Sequence, residues 1–169
     1  MKSEVANKWN FLSLKSFCKR IKRKNSDLIS ENVLTISSQL GLVSQKDYFN
    51  KSVASSNLSG YTLIKKGEFA YNKSYSDNSP VGAVRRLIKY EEGIVSPLYI
   101  CFQIDKNIVL EEFADYLFSS FWFTKAINKI ANEGARNHGL LNIGIDDFFE
   151  SELPIPSIDE QKKISEIML

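Results

Sequence analysis

The stretch from Ala135 to Leu169 reads ARNHGLLNIGIDDFFESELPIPSIDEQKKISEIML, and four local signals divide it. A polar loop comes first, then a short acidic helix carrying Asp146, Asp147 and Glu150, a Pro154-Ile155-Pro156 corner, and the opening of a second helix. Ser157 and Glu160 are spaced as a capping box: the serine hydroxyl accepts from the N–H of Glu160, and the glutamate reaches back to the N–H of Ser157. A helix is therefore predicted to begin at this point. It runs to the last residue with Ile164, Ile167 and Met168 on an apolar edge that nothing else in the sequence obviously covers. Such an edge implies a partner surface or a longer parent chain.

Working outward, 169 residues with 43% hydrophobic content can bury one good core and hardly two. The expectation is one domain over residues 1–153 and a helical appendage over 154–169. No run approaches the ~20 apolar residues of a membrane span, and no apolar leader opens the chain, so a cytoplasmic location is expected. Two cysteines, Cys18 and Cys101, and one histidine make neither a zinc site nor a disulfide framework. The net charge of +2 conceals an asymmetry: residues 1–24 hold eight basic and one acidic side chain, whereas residues 144–169 hold two and seven. The densest basic run, Lys19 to Lys24, suits a phosphate backbone. It equally suits a solvated helix end.

Along the chain, Leu14, Phe17, Cys18 and Ile21 fall at helical spacing and predict a helix over Ser13 to Lys24, preceded by a strand or anchor at Trp9 to Phe11. Strands are predicted at Val33 to Ser37, Tyr61 to Ile64, Phe69 to Asn72, Gly82 to Ile88 and Ile94 to Ile104, with an irregular segment up to Asn57. One long helix over Leu110 to Ile130 carries a wide apolar face that should cover a sheet. The fold class is α+β: a curved, mainly antiparallel sheet packed by a long helix, with a C-terminal helical segment.

Catalytic patterns are absent: there is no phosphate-binding loop, nucleophile elbow or His-Glu-x-x-His helix. A nuclease-like set from Asp146 or Asp147 with Glu160 and Lys162 is rejected, because the capping box already occupies Glu160. His138 has no nucleophile or carboxylate paired with it in sequence, and reads as a hydrogen-bonding loop residue. Three groups carry side chains suited to nucleic acid. Arg136 and Asn137 beside His138 match guanine and adenine edges. Lys73, Ser74 and Tyr75, with the Arg85-Arg86 pair, mix cations, a hydroxyl and an aromatic ring, although a strand would send the two arginines to opposite faces. Ser37 and Gln39, with Gln45 and Lys46, follow the first core strand. Each group reads equally as a solvated loop or turn.

These residues, in order, resemble the target recognition domain of the specificity subunit of type I restriction-modification systems. The resemblance rests on Leu153, Pro154, Pro156, Asp159, Glu160, Gln161 and Ile164, and upstream on Val33 to Ser37, Gly41-Leu42, Gly67 to Asn72, Val81 to Ala83 and Val95 to Tyr99. Family members usually carry two such domains and two helical spacers, and this chain holds one domain and a stub. The resemblance implies non-catalytic reading of one half of a bipartite double-stranded DNA target and no cofactor. Its implied partners are DNA methyltransferase (modification) subunits and a restriction subunit, with a possible homodimer through the helix bearing Ile164, Ile167 and Met168. The competing expectation, prompted by the neutral centre of the chain, is a protein-interaction module that docks on a modification subunit without DNA selectivity.

Overall fold

The computed structural model describes residues 9–50, 57–131 and 139–168. They fall into two compact units, one drawn from Met1–Lys19, Tyr75–Val81 and Ile104–Leu169, the other from Arg20–Ser74 and Gly82–Gln103. Helices and antiparallel strands are mixed, as the α+β expectation requires.

In the first unit, β1 (Asn10–Ser13) pairs antiparallel with β10 (Glu152–Ile155), Phe11 lying opposite Pro154. A two-stranded sheet has open edges, and these tolerate a proline without an N–H. The single turn α1 (Leu14–Phe17) buries Leu14 and Phe17, and the Leu14 N–H donates to Ser151 O at 2.9 Å. The predicted helix over Ser13 to Lys24 thus stops after one turn, because Cys18 is extended (φ −118°, ψ 137°) and opens β2 (Cys18–Arg20). Sheet pairing overrides a helical spacing that the buried residues satisfy either way.

The single long helix also divides. It becomes α3 (Glu111–Leu117) and α4 (Phe121–Ile130). Ser120 is the cause: extended at φ −84° and ψ 165°, it accepts from Phe123 N as the N-cap of α4 and donates its hydroxyl to Leu117 O at 2.6 Å. Helix α4 packs on β10 and on α5 (Ile145–Glu150), while α3 packs on α6 (Ile158–Met168).

Helix α6 starts as the capping box requires, with Glu160 N donating to Ser157 Oγ and Ser157 N to Glu160 Oε2, both at 3.3 Å. Gln161, one residue on, is wholly buried. Its Oε1 accepts from Leu110 N at 2.8 Å, and its Nε2 donates to Ile108 O at 2.9 Å and Pro156 O at 3.0 Å. One amide side chain thereby ties the first turn of α6 to the backbone entering α3.

A four-stranded sheet runs in the order β2–β9–β6–β7, with β6 at Phe69–Asn72, β7 at Ala83–Arg86 and β9 at Ile100–Ile104, and β6 and β7 lie wholly in the second unit. Two further antiparallel pairs are β3 (Leu34–Ser37) with β4 (Gly41–Ser44), and β5 (Thr62–Lys65) with β8 (Glu92–Val95). The predicted strand over Ile94 to Ile104 is therefore two strands, parted by a turn in which Tyr99 N donates to Ser96 O at 3.0 Å. Strand β4 and the one-turn α2 (Gln45–Phe49) occupy the segment expected to be irregular. Leu34, Leu42, Ile64, Ala70, Leu87, Val95 and Cys101 form the core, and Phe69 stacks on Phe102 with ring centroids 5.5 Å apart.

The basic run Lys19–Lys24 is no helix end. Ile21 is buried and its N–H donates to Cys101 O. The Arg23 guanidinium grips Glu68 through two 3.2 Å bonds, while Lys65 N donates to the same carboxylate at 2.7 Å. Glu68 is 8% exposed, so Arg23 compensates a buried charge that would be costly alone.

Candidate nucleic-acid interface

The β3–β4 ladder runs from Leu34 opposite Ser44 to Ser37 opposite Gly41. At its closed end the Ser37 hydroxyl accepts from Leu40 N at 3.2 Å, and Gly41 supplies the positive φ of 76° that starts the return strand. Ser37 itself is buried and holds the turn, leaving Gln39 exposed at the tip. Gln45 and Lys46 follow the open end. A four-residue ladder separates these two candidate pairs by roughly 10 Å, so the sequence neighbours do not form one contact point. Gln45 sends its Oε1 inward, buried without a hydrogen-bond partner, whereas Lys46 is exposed. Behind them, the Tyr90 hydroxyl accepts from Ser44 N at 3.1 Å and donates to Asp47 at 3.2 Å.

Arg85 joins the Gln39 end. Its guanidinium donates to Val84 O at 2.9 Å and Ser38 O at 3.5 Å, which spends two of its five N–H donors. Arg86 ends β7 opposite Phe69, half-buried. Alternation along the strand gives the two arginines opposite faces.

Lys73 and Ser74 leave β6 where Asn72 lies opposite Ala83. Asn72 shapes this exit, since its Oδ1 accepts from Ser74 N at 3.0 Å and its Nδ2 donates to the Tyr99 hydroxyl at 3.2 Å. Tyr99 is also hydrogen-bonded to the Thr35 side chain and the Ile36 backbone, which couples β6 to β3. Burial pushes the Lys73 ammonium below its ordinary value. The second unit thus places Gln39 and Arg85 at the β3–β4 turn and Lys73 and Ser74 at the end of β6. Two charge-bearing donors, one of them on a strand, and two neutral polar groups could meet phosphates and base edges.

Tyr75 belongs to the first unit, where its N–H donates to Gly139 O at 3.0 Å beside a tight turn closed by Ser76 and Ser79. Arg136, Asn137 and His138 lie outside the described residues. On α6, Ile167 and Met168 are 81% and 55% exposed and Ile164 is half-buried. Gln161 and Tyr99 enter the sequence reading only through the resemblance, and the Arg23–Glu68 pair not at all, since their hydrogen-bond partners are distant in the chain. Among the described residues no group of His, Cys, Asp or Glu could hold a metal ion. No helix among them is long and apolar enough to cross a membrane.

Comparison with family models and with curated proteins finds no match. Solved structures do share the fold. An HsdS subunit from Thermoanaerobacter tengcongensis superposes with a TM-score of 0.63 at 15% identity, over 95% of this chain and 41% of that one. A chain from a structure concerned with complex assembly and conformational transition of the type I R-M system gives 0.64 at 14%, over 95% and 41%. The S subunit of a type I restriction-modification system from M. genitalium gives 0.57 at 16%, over 95% and 38%. This chain spans about two fifths of the length of each.

Proposed function

We propose that this chain, which has the fold of the target recognition domain of type I restriction-modification S subunits, is a non-catalytic DNA-reading component of such a system. The likeness to S-subunit structures over 95% of the chain carries the reading. In it, Gln39 and Arg85 at the β3–β4 turn and Lys73 and Ser74 at the end of β6 contact one half of a bipartite duplex target, with Arg136 and Asn137 as additional readers. Residues 1–153 form the reading domain. Helix α6 begins a spacer whose exposed Ile167 and Met168 meet a second helix, either in a longer parent chain or in a second copy. The complex supplies chemistry through modification and restriction subunits, which bind the methyl donor and the nucleotide, and this chain binds neither.

The test is selection of bound duplexes from a random DNA pool by the chain mixed with a type I modification subunit, at two salt concentrations so that nonspecific charge binding is discounted. Enrichment of a short motif, single or duplicated about a spacer, is expected. A featureless pool from a stable protein complex would replace this reading with a docking module.

A further inference from the structure

The first unit carries a second surface that the DNA reading does not use. A cleft of about 390 Å³ lies between α4, α5 and the β1–β10 pair. Phe11, Trp122, Ala126 and Ile130 contribute its apolar lining. Phe11 meets the Trp122 ring edge-on with centroids 5.9 Å apart, and Phe121 meets the same indole at 6.1 Å. Phe11 is 50% and Phe121 71% exposed, so the aromatic surface continues out of the cleft. Side chains of this size are commonly buried, and three in edge contact at a surface mark an interaction site rather than scattered exposure.

The rims are charged, and their signs differ. Lys125 and Lys129 project from α4, with the Lys125 ammonium 5.7 Å from the Trp122 ring centroid. Opposite stand Asp147, Glu150 and Glu152, and Lys15 reaches Glu150 only through an exposed contact of 3.7 Å, which is worth little. Carboxylates lining one wall repel a phosphate backbone, so duplex DNA is a poor occupant. A small molecule would fill the cleft yet leave Phe121 uncovered. An extended occupant with an apolar anchor satisfies both the cleft and the outer ring.

We infer that this cleft docks a segment of a partner protein that inserts a large apolar side chain against Trp122 and Phe11 and sets lysine or arginine against Asp147, Glu150 and Glu152. The lysine rim then fixes its direction, because reversing the segment would bring its cations to Lys125 and Lys129. This assignment is independent of the DNA reading.

The probes are two synthetic peptides with one phenylalanine in an otherwise neutral sequence, carrying on one side of it only lysine and arginine in one peptide and glutamate in the other. Binding is read from Trp122 fluorescence in a Trp9→Phe background, since Trp9 and Trp122 are the only tryptophans. The basic-flanked peptide is expected to give a saturable change and the acidic one none. Combining Asp147→Lys with Glu150→Lys should weaken the basic peptide at least tenfold; both residues are exposed, and an unchanged circular dichroism spectrum confirms folding. Equal binding of both peptides, no saturable binding, or indifference to the charge reversal would overturn the proposal. So would self-association without peptide that the reversal abolishes, which would make a second copy the occupant.

Discussion

Replacing Gln161 with leucine keeps the side-chain volume nearly constant and removes three hydrogen bonds, those to Leu110 N, Ile108 O and Pro156 O. The Pro156 bond is buried and the other two are partly buried. Taking about 2 kcal/mol for the buried orphan and about 1 for each of the others gives about 4 kcal/mol. Leucine returns about 1 kcal/mol through its extra apolar burial, which leaves a net loss of about 3. With a urea m-value of about 2 kcal/mol/M, the midpoint falls by about 1.5 M. Urea titration followed by tryptophan fluorescence reads this directly, because Trp9, Trp122 and Gln161 belong to the same unit. A midpoint within about 0.3 M of the parent, less than about 1 kcal/mol at that m-value, would refute the idea that Gln161 anchors α6.

Gly82→Ala should cost more than about 2 kcal/mol, since φ is +77° and a Cβ would stand 2.1 Å from Asn72 O; a melting temperature within about a degree of the parent would contradict this. Arg85→Ala should weaken DNA binding by about 1–3 kcal/mol and relax selectivity if it reads a base, or weaken all sequences alike if it meets phosphate. Unchanged affinity would remove β7 from the interface. Burial pushes the Cys18 thiol up and the Cys101 thiol to about 12, so neither forms thiolate near pH 8 and a disulfide-exchange reagent should label the folded chain far more slowly than the urea-unfolded one. Prompt labelling of either cysteine in the folded chain would contradict that burial. By linkage, raised folded values mean that these groups erode stability as pH climbs past the unfolded thiol value near 9.0.

Local signals were legible in the sequence where partners lie within one turn. The Ser157–Glu160 box stands where its spacing places it. Elements decided by distant partners were not: Cys18 to Ile21 keeps a helical spacing of buried residues, yet its backbone joins a sheet through Cys101 O. Two breaks had readable causes, Ser120 as a helix cap and Pro97 behind Ser96 as a turn. In the candidate interface, residue types were readable and spacing in space was not. Ser37 and Gln45 are close in sequence but stand at opposite ends of one hairpin, whereas Arg85 reaches the turn at Ser38 from a strand far along the chain.

The most direct test of the DNA-reading claim is the ratio of affinities for a selected duplex and its scrambled counterpart, measured with the modification subunit present at two salt concentrations. The account predicts a ratio of at least about tenfold that persists as salt weakens both affinities, since base contacts carry selectivity and phosphate contacts carry the salt dependence. A ratio of one at both salts, with the protein complex intact, would contradict it.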